Sequence, residues 1–168
     1  MAEEKTPGWM RGLEILFALI GIILAGATFI LFDQYLQYLL FTAAIALFGL
    51  LWLIRAISYS AAPSWLRGLA IIFGIVLIVL ASATPLYYLT YNGWLLAGAL
   101  ILEGFSWILW MLVGGPQGAI KWLGTLLGLL QLIIAAVVFA FPVYTMWLIA
   151  GATILSGLIL LFKGIAGQ

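Results

Sequence analysis

The chain of 168 residues contains no cysteine and no histidine. Their absence excludes thiol nucleophiles, disulfides, iron–sulfur ligation, the common zinc sites and an imidazole acid–base working near neutral pH. Charge is also scarce: six Lys and Arg and five Asp and Glu make 7% of the residues and leave a formal net charge of +1. A nucleic-acid surface needs a clustered excess of cations to release phosphate counterions, so no nucleic-acid partner is expected. So few carboxylates do not build a hard-cation site, and neither a catalytic metal nor another cofactor is expected. There is no Ser-His-Asp set, no paired-carboxylate site and no phosphate-cradling glycine loop, so an enzyme is not expected. Ala2 stands where a myristoylated chain has Gly, which excludes that lipid signal.

Apolar residues, by contrast, make up 67% of the chain, well above the roughly half found in soluble domains. A helix that crosses a hydrocarbon core of about 30 Å needs about 20 apolar residues. Six windows qualify: Leu13 to Phe32, Leu36 to Ile57, Leu66 to Pro85, Trp94 to Val113, Ile120 to Phe141 and Tyr144 to Phe162. The fold class expected is therefore an all-α integral membrane protein forming one transmembrane domain. Residues 1–8 are acidic and polar, with no signal-peptide cleavage pattern, and read as a short cytoplasmic tail.

The turns alternate in character. Asp33-Gln34, the stretch from Thr84-Pro85 to Asn92-Gly93, and Phe141-Pro142 close the odd-numbered spans without a cation. Every cation belongs to the opposite side: Lys5 and Arg11 before span one, Arg55 and Arg67 about the second turn, Lys121 at the fourth, and Lys163 at the end of span six. Arg11, Arg55, Arg67, Lys121 and Lys163 thus read as interfacial anchors and topology determinants, and the positive-inside rule predicts both termini of the multi-pass protein in the cytoplasm. Trp9, Trp65, Trp107, Trp110 and Trp122 on that side, and Trp94, Tyr87, Tyr88, Tyr91 and Tyr144 on the other, read as aromatic belts.

An internal repeat underlies this pattern. Trp9-Met10-Arg11-Gly12-Leu13, Trp65-Leu66-Arg67-Gly68-Leu69 and Ile120-Lys121-Trp122-Leu123 are three versions of one helix entry. The return helices align as Leu47-Phe48-Gly49-Leu50, Ile101-Leu102-Glu103-Gly104-Phe105 and Ile154-Leu155-Ser156-Gly157-Leu158. Three hairpins, about 9–60, 63–114 and 118–167, are expected around a pseudo-threefold axis along the membrane normal, because two-span repeats all share one orientation. Gly49, Gly104 and Gly157 on the return helices, with Ala18, Gly74 and Gly128 on the entry helices, would bring backbones together where lipid supplies no hydrophobic drive for packing.

A triplicated hairpin that enters through Trp-x-Arg-Gly-Leu, turns at Thr84-Pro85 or Phe141-Pro142, and returns through Glu103-Gly104 or Ser156-Gly157 resembles the HdeD-type membrane proteins. The first copy has Asp33-Gln34 where the others have Pro. The resemblance covers nearly the whole chain and implies a six-helix inner-membrane protein associated with acid stress. It carries over no catalytic residue.

One carboxyl lies deep inside a span. Glu103 is about ten residues from either end of the fourth window, roughly 15 Å in. Such a group faces the bundle interior, finds a polar partner or stays protonated. Gln131, about ten residues past Lys121, sits at comparable depth, and Ser106 and Ser156 complete a candidate intramembrane polar site. Two readings stand: a proton-sensing or relaying group, or a structural interhelical hydrogen bond. Glu14, three residues after Arg11, is expected to form a local ion pair with it near the interface. Asp33 is expected to cap the second span.

The function expected is non-enzymatic: a structural or acid- and stress-protective membrane protein that packs in the bilayer with itself or a larger membrane complex. The alternative is a small proton or ion channel or carrier that uses Glu103.

Overall fold

The computed structural model describes residues 7–31, 33–60, 62–86, 92–114, 118–141 and 145–166. Lys5 and the tail around it, Phe32, Tyr87, Tyr88, Tyr91, Pro142, Tyr144 and Gly167 lie outside the described residues. Within them the regular structure is helical throughout: α1 Gly8–Ala27, α2 Gln34–Ser58, α3 Ser64–Ala83, α4 Asn92–Leu109, α5 Ala119–Ala140 and α6 Thr145–Ala166. All six are long and apolar enough to cross a membrane. A helix satisfies its own backbone hydrogen bonds, which the hydrocarbon cannot do for it.

Local chemistry sets several of the ends. Pro7 and Pro63, each with φ −53°, stand immediately before α1 and α3, where the fixed ring angle suits a helix start. Asp33 caps α2 as expected, its Oδ1 accepting from the Leu36 amide at 2.9 Å. Gly118, at φ +71°, introduces α5 in a conformation that side chains disfavour. The fourth helix ends in a wider π-helical turn over Trp110–Gly114.

The helices form a closed ring in which each packs on its neighbours in sequence and α6 returns to α1. The most extensive pairs are α2 with α3, α4 with α5, and α6 with α1, shifted by one helix from the hairpins expected. Small residues explain why. A Cβ added at Gly49 would lie 2.9 Å from the Gly74 carbonyl oxygen, and one at Gly104 would lie 2.7 Å from that of Gly128. One at Gly157 would meet Ile22 at 2.6 Å and the Ala18 carbonyl at 3.1 Å. At these three crossings backbone approaches backbone, which only glycine on the approaching helix permits.

The six helices differ in depth. About half of the α2 and α4 segments is buried (50% and 56%) but only 28% of α1 and of α3, so α2 and α4 lie nearer the middle. Outward faces carry large apolar groups such as Ile23, Ile72, Val79, Leu126 and Ile133, the complement of a lipid solvent. The start of α1, the end of α2, the start of α3 and the end of α6 meet at one end of the bundle through ion pairs and the Arg67 Nε bond to the Ala56 carbonyl. Trp110, at the end of α4, joins them by packing on Trp52 and Tyr59.

Candidate intramembrane polar site

Two buried polar clusters occupy the interior, and one tryptophan connects them. The first centres on Glu103 of α4, which accepts from the indole N–H of Trp107 one turn along its own helix and stands beside the polar side chains of Gln131 on α5 and Ser156 on α6. Gln131 Nε2 also donates to Ser156 Oγ at 2.8 Å, and the serine donates to the Ala152 carbonyl at 2.9 Å. Gln131 thus lies beside Glu103 at the depth expected, with its amide nitrogen directed to Ser156. Gln131 Oε1 is buried and accepts no hydrogen bond.

Ser106 takes a different place. Its hydroxyl donates to the Leu102 carbonyl of the preceding turn at 2.7 Å, and it borders a small void with Trp52, Leu66, Ala70, Phe73 and Trp110. Three of the four polar residues singled out thus come together and the fourth does not join them.

The second cluster overturns the local ion pair expected for Glu14. Its carboxylate is fully buried, and Oε1 accepts from Arg55 Nε at 2.9 Å and from Lys163 Nζ at 2.7 Å. Arg55 Nη2 lies 2.8 Å from the same oxygen, whereas Glu14 Oε2 is buried without a partner. Arg55 and Lys163 therefore differ from the interfacial anchors expected: their heads turn inward, 1% and 4% exposed, onto the buried carboxylate of Glu14. Arg11, Arg67 and Lys121 stay partly exposed, in keeping with an interfacial position.

Trp107 bridges the clusters. Its indole N–H donates to Glu103 Oε1 over a long 3.4 Å, while the Arg55 guanidinium stands over its ring 5.4 Å from the centroid and over Trp52 at 5.0 Å. A cation is attracted to the negative face of an aromatic ring, and the attraction grows when both are desolvated. Trp107 and Trp110 are thus core residues, 1% and 2% exposed, and not members of a belt. Trp9, Trp65 and Trp122 are exposed as a belt requires, and so is Trp94 at the other end.

Helical rise locates the column. Glu103, Gln131 and Ser156 each lie about 16–18 Å from the start of their helix, near the middle of the bundle. Trp107 is about 6 Å from Glu103 toward the cation-bearing end, and Glu14, Arg55 and Lys163 lie within about 9 Å of that end. In the opposite direction apolar side chains predominate, Leu96 and Leu100 on α4, Phe41 and Ile45 on α2 and Ile149 on α6, with the buried hydroxyl groups of Thr42 and Thr153 among them.

The residues missed at the level of sequence were Glu14, Arg55 and Lys163 as interior groups, with Trp52 and Trp107. A signal for them existed. Met10, Glu14, Ala18, Gly21 and Ala25 form one buried stripe of α1, so Glu14 shares the face already assigned to packing through Ala18. Ser156, Leu160 and Lys163 are related by the same spacing on α6, and Glu103, Trp107 and Trp110 on α4. Comparison with protein-family models, with curated proteins and with solved structures gave no match.

Proposed function

We propose that this chain is a non-enzymatic integral membrane protein whose role is structural or stress-protective, as its HdeD-type resemblance implies. The observation that carries the reading is the economy of the bundle: six spanning helices, short connections and an outer surface of apolar helix faces. Such a molecule meets a partner through helix faces within the bilayer. The partner proposed is a further copy of the chain or a larger membrane complex. The three close crossings, Gly49 on Gly74, Gly104 on Gly128 and Gly157 on Ala18, support a triplicated hairpin with pseudo-threefold arrangement, since they pair equivalent positions of the aligned copies. Both termini are proposed to face the cytoplasm, from the one-sided cations, and the membrane is proposed to be the inner, cytoplasmic one that the resemblance implies. Energy transfer between two fluorophore labels on separate copies in native membranes is expected to report self-association. A lone monomer at all expression levels would overturn that part of the reading.

A second reading, a small proton or ion carrier, is favoured by one observation, the hydrogen-bonded carboxyl of Glu103 at mid-bundle. Proteoliposomes under a pH gradient are the test. Flux indistinguishable from empty vesicles, with Glu103→Gln equal to wild type, would remove it.

A further inference from the structure

We propose that Glu103 is a reversible proton-binding site, loaded from the cation-bearing end of the bundle, and that the Glu14–Arg55–Lys163 cluster supplies its counter-charge. The inference deepens the proton reading of Glu103 but does not require transport.

The first support is charge accounting. Arg55 and Lys163 carry two positive charges, both directed at one carboxylate oxygen of Glu14. The cluster is therefore left with one surplus positive charge inside the protein. An isolated buried charge is strongly disfavoured, so a compensating group is required nearby. Arg55 and Glu103 both contact Trp107, the one over its ring and the other at its N–H, and an ionised Glu103 brings the sum of the four groups to zero. The interior thus contains what an ionised carboxyl at this depth needs.

The second support is that the protonated form is equally provided for. An ionised Glu103 accepts hydrogen bonds from its neighbours, and Gln131 and Trp107 supply N–H donors. A protonated Glu103 instead needs an acceptor for its O–H, and the Gln131 amide beside it has a buried Oε1 with no partner. The amide beside Glu103 thus carries both N–H donors and a free acceptor, and in this proposal it turns between them as the proton is bound and lost.

The third support is direction. From Glu103 the polar groups continue through Trp107 to Arg55, Glu14 and Lys163 at one end, where the buried Glu14 Oε2 is a further free acceptor. Toward the other end Phe41, Ile45, Leu96, Leu100 and Ile149 predominate and no charged group is among the described buried residues; the Thr153 hydroxyl there is turned onto the Ile149 carbonyl of its own helix, and the Thr42 hydroxyl is the polar atom left over. Of the remaining helices, α5 presents uncharged Gln131 to Glu103 and carries its one cation, Lys121, partly exposed in its first turn about 15 Å away; Arg67 of α3 is bonded to the Ala56 carbonyl at the helix end, and Arg11 of α1 lies one turn beyond Glu14 and is partly exposed. The proton lost by Glu103 leaves to water at the cation-bearing face, the carboxyl becoming carboxylate, with no other bond made or broken.

The test is infrared difference spectroscopy of the full chain in nanodiscs, following the protonated-carboxyl carbonyl band of Glu103, assigned by its loss in Glu103→Gln. Wild type and Lys163→Arg are expected to gain and lose this band reversibly with pH. Lys163→Gln removes the surplus charge, leaving Arg55 and Glu14 to cancel, and is expected to abolish the titration. Adding Glu14→Gln to Lys163→Gln frees Arg55 and is expected to restore it. A band that never titrates in wild type overturns the proposal, as does one that titrates equally in Lys163→Gln. Restoration in the double variant guards against mere misfolding of the single one. Proteoliposomes sealed with known orientation add the sidedness: a band responding to pH at the face opposite the cations also overturns it. Failure of proton flux with a normal band would sink the carrier reading and leave this inference standing.

Discussion

Glu14→Gln is the substitution on which the two views of this carboxylate differ most. If Glu14 formed a local pair with Arg11 at the interface, its loss would cost about 0.2–0.5 kcal/mol, the worth of such a pair on a helix surface. In the structure it is fully buried and, among the described residues, is the only carboxylate in contact with Arg55 and Lys163, at 2.8 and 2.7 Å. Neutralising it leaves two cations facing one another in the interior. Removing one partner from a buried ion pair costs about 3–5 kcal/mol, and this is the loss expected here. At about 1.4 kcal/mol per decade, the unfolding equilibrium constant rises by a factor of roughly a hundred to a few thousand. Trp52, Trp107 and Trp110 surround Arg55 or adjoin it, so their fluorescence during unfolding in mixed micelles reports directly on this region. A double-mutant cycle with Lys163→Gln should give a coupling of about 0.5–3 kcal/mol, because the second substitution removes one of the two opposed cations. A loss below about 1 kcal/mol together with additive behaviour would refute the buried triad.

Further outcomes follow from the same contacts. Gly104→Ala places a methyl 2.7 Å from the Gly128 carbonyl oxygen and is expected to destabilise by about 1–3 kcal/mol, whereas Gly68→Ala, with nothing within 4 Å, is expected to be neutral or to stabilise by up to about 1 kcal/mol; thermal unfolding of the pair in one detergent compares them. Asp33→Ala removes the bond to the Leu36 amide and should cost about 1 kcal/mol, with amide exchange faster in the first turn of α2. Since the chain has no cysteine of its own, Ile15→Cys with Gly164→Cys, a pair in contact between α1 and α6, is expected to crosslink on oxidation in native membranes; gel mobility reads the result. Gln131→Leu removes the amide between Glu103 and Ser156 and leaves a buried carboxyl short of a partner, for a loss of about 1–3 kcal/mol in the same micelle assay.

Much of the architecture was determined by the sequence itself, because it depends on quantities that run along the chain. Span length follows from apolar runs, helix boundaries from Pro7, Asp33 and Pro63, and depth from counting residues at a fixed rise. Counting alone matched Glu103 to Gln131, and small residues at matching depths marked the sites where backbones touch. What counting does not contain is the direction in which each helix face points relative to helices far away in sequence. That decided the rest: Glu14 passes over Arg11, one turn away, for Arg55 and Lys163, which are 41 and 149 residues distant. It also placed Trp107 and Trp110 inside and brought the last helix against the first. The physical reason is one of scale. A local surface pair is worth a few tenths of a kcal/mol, whereas a cation taken into the interior without its counter-charge costs several, so the tertiary arrangement selects the partner that burial makes necessary.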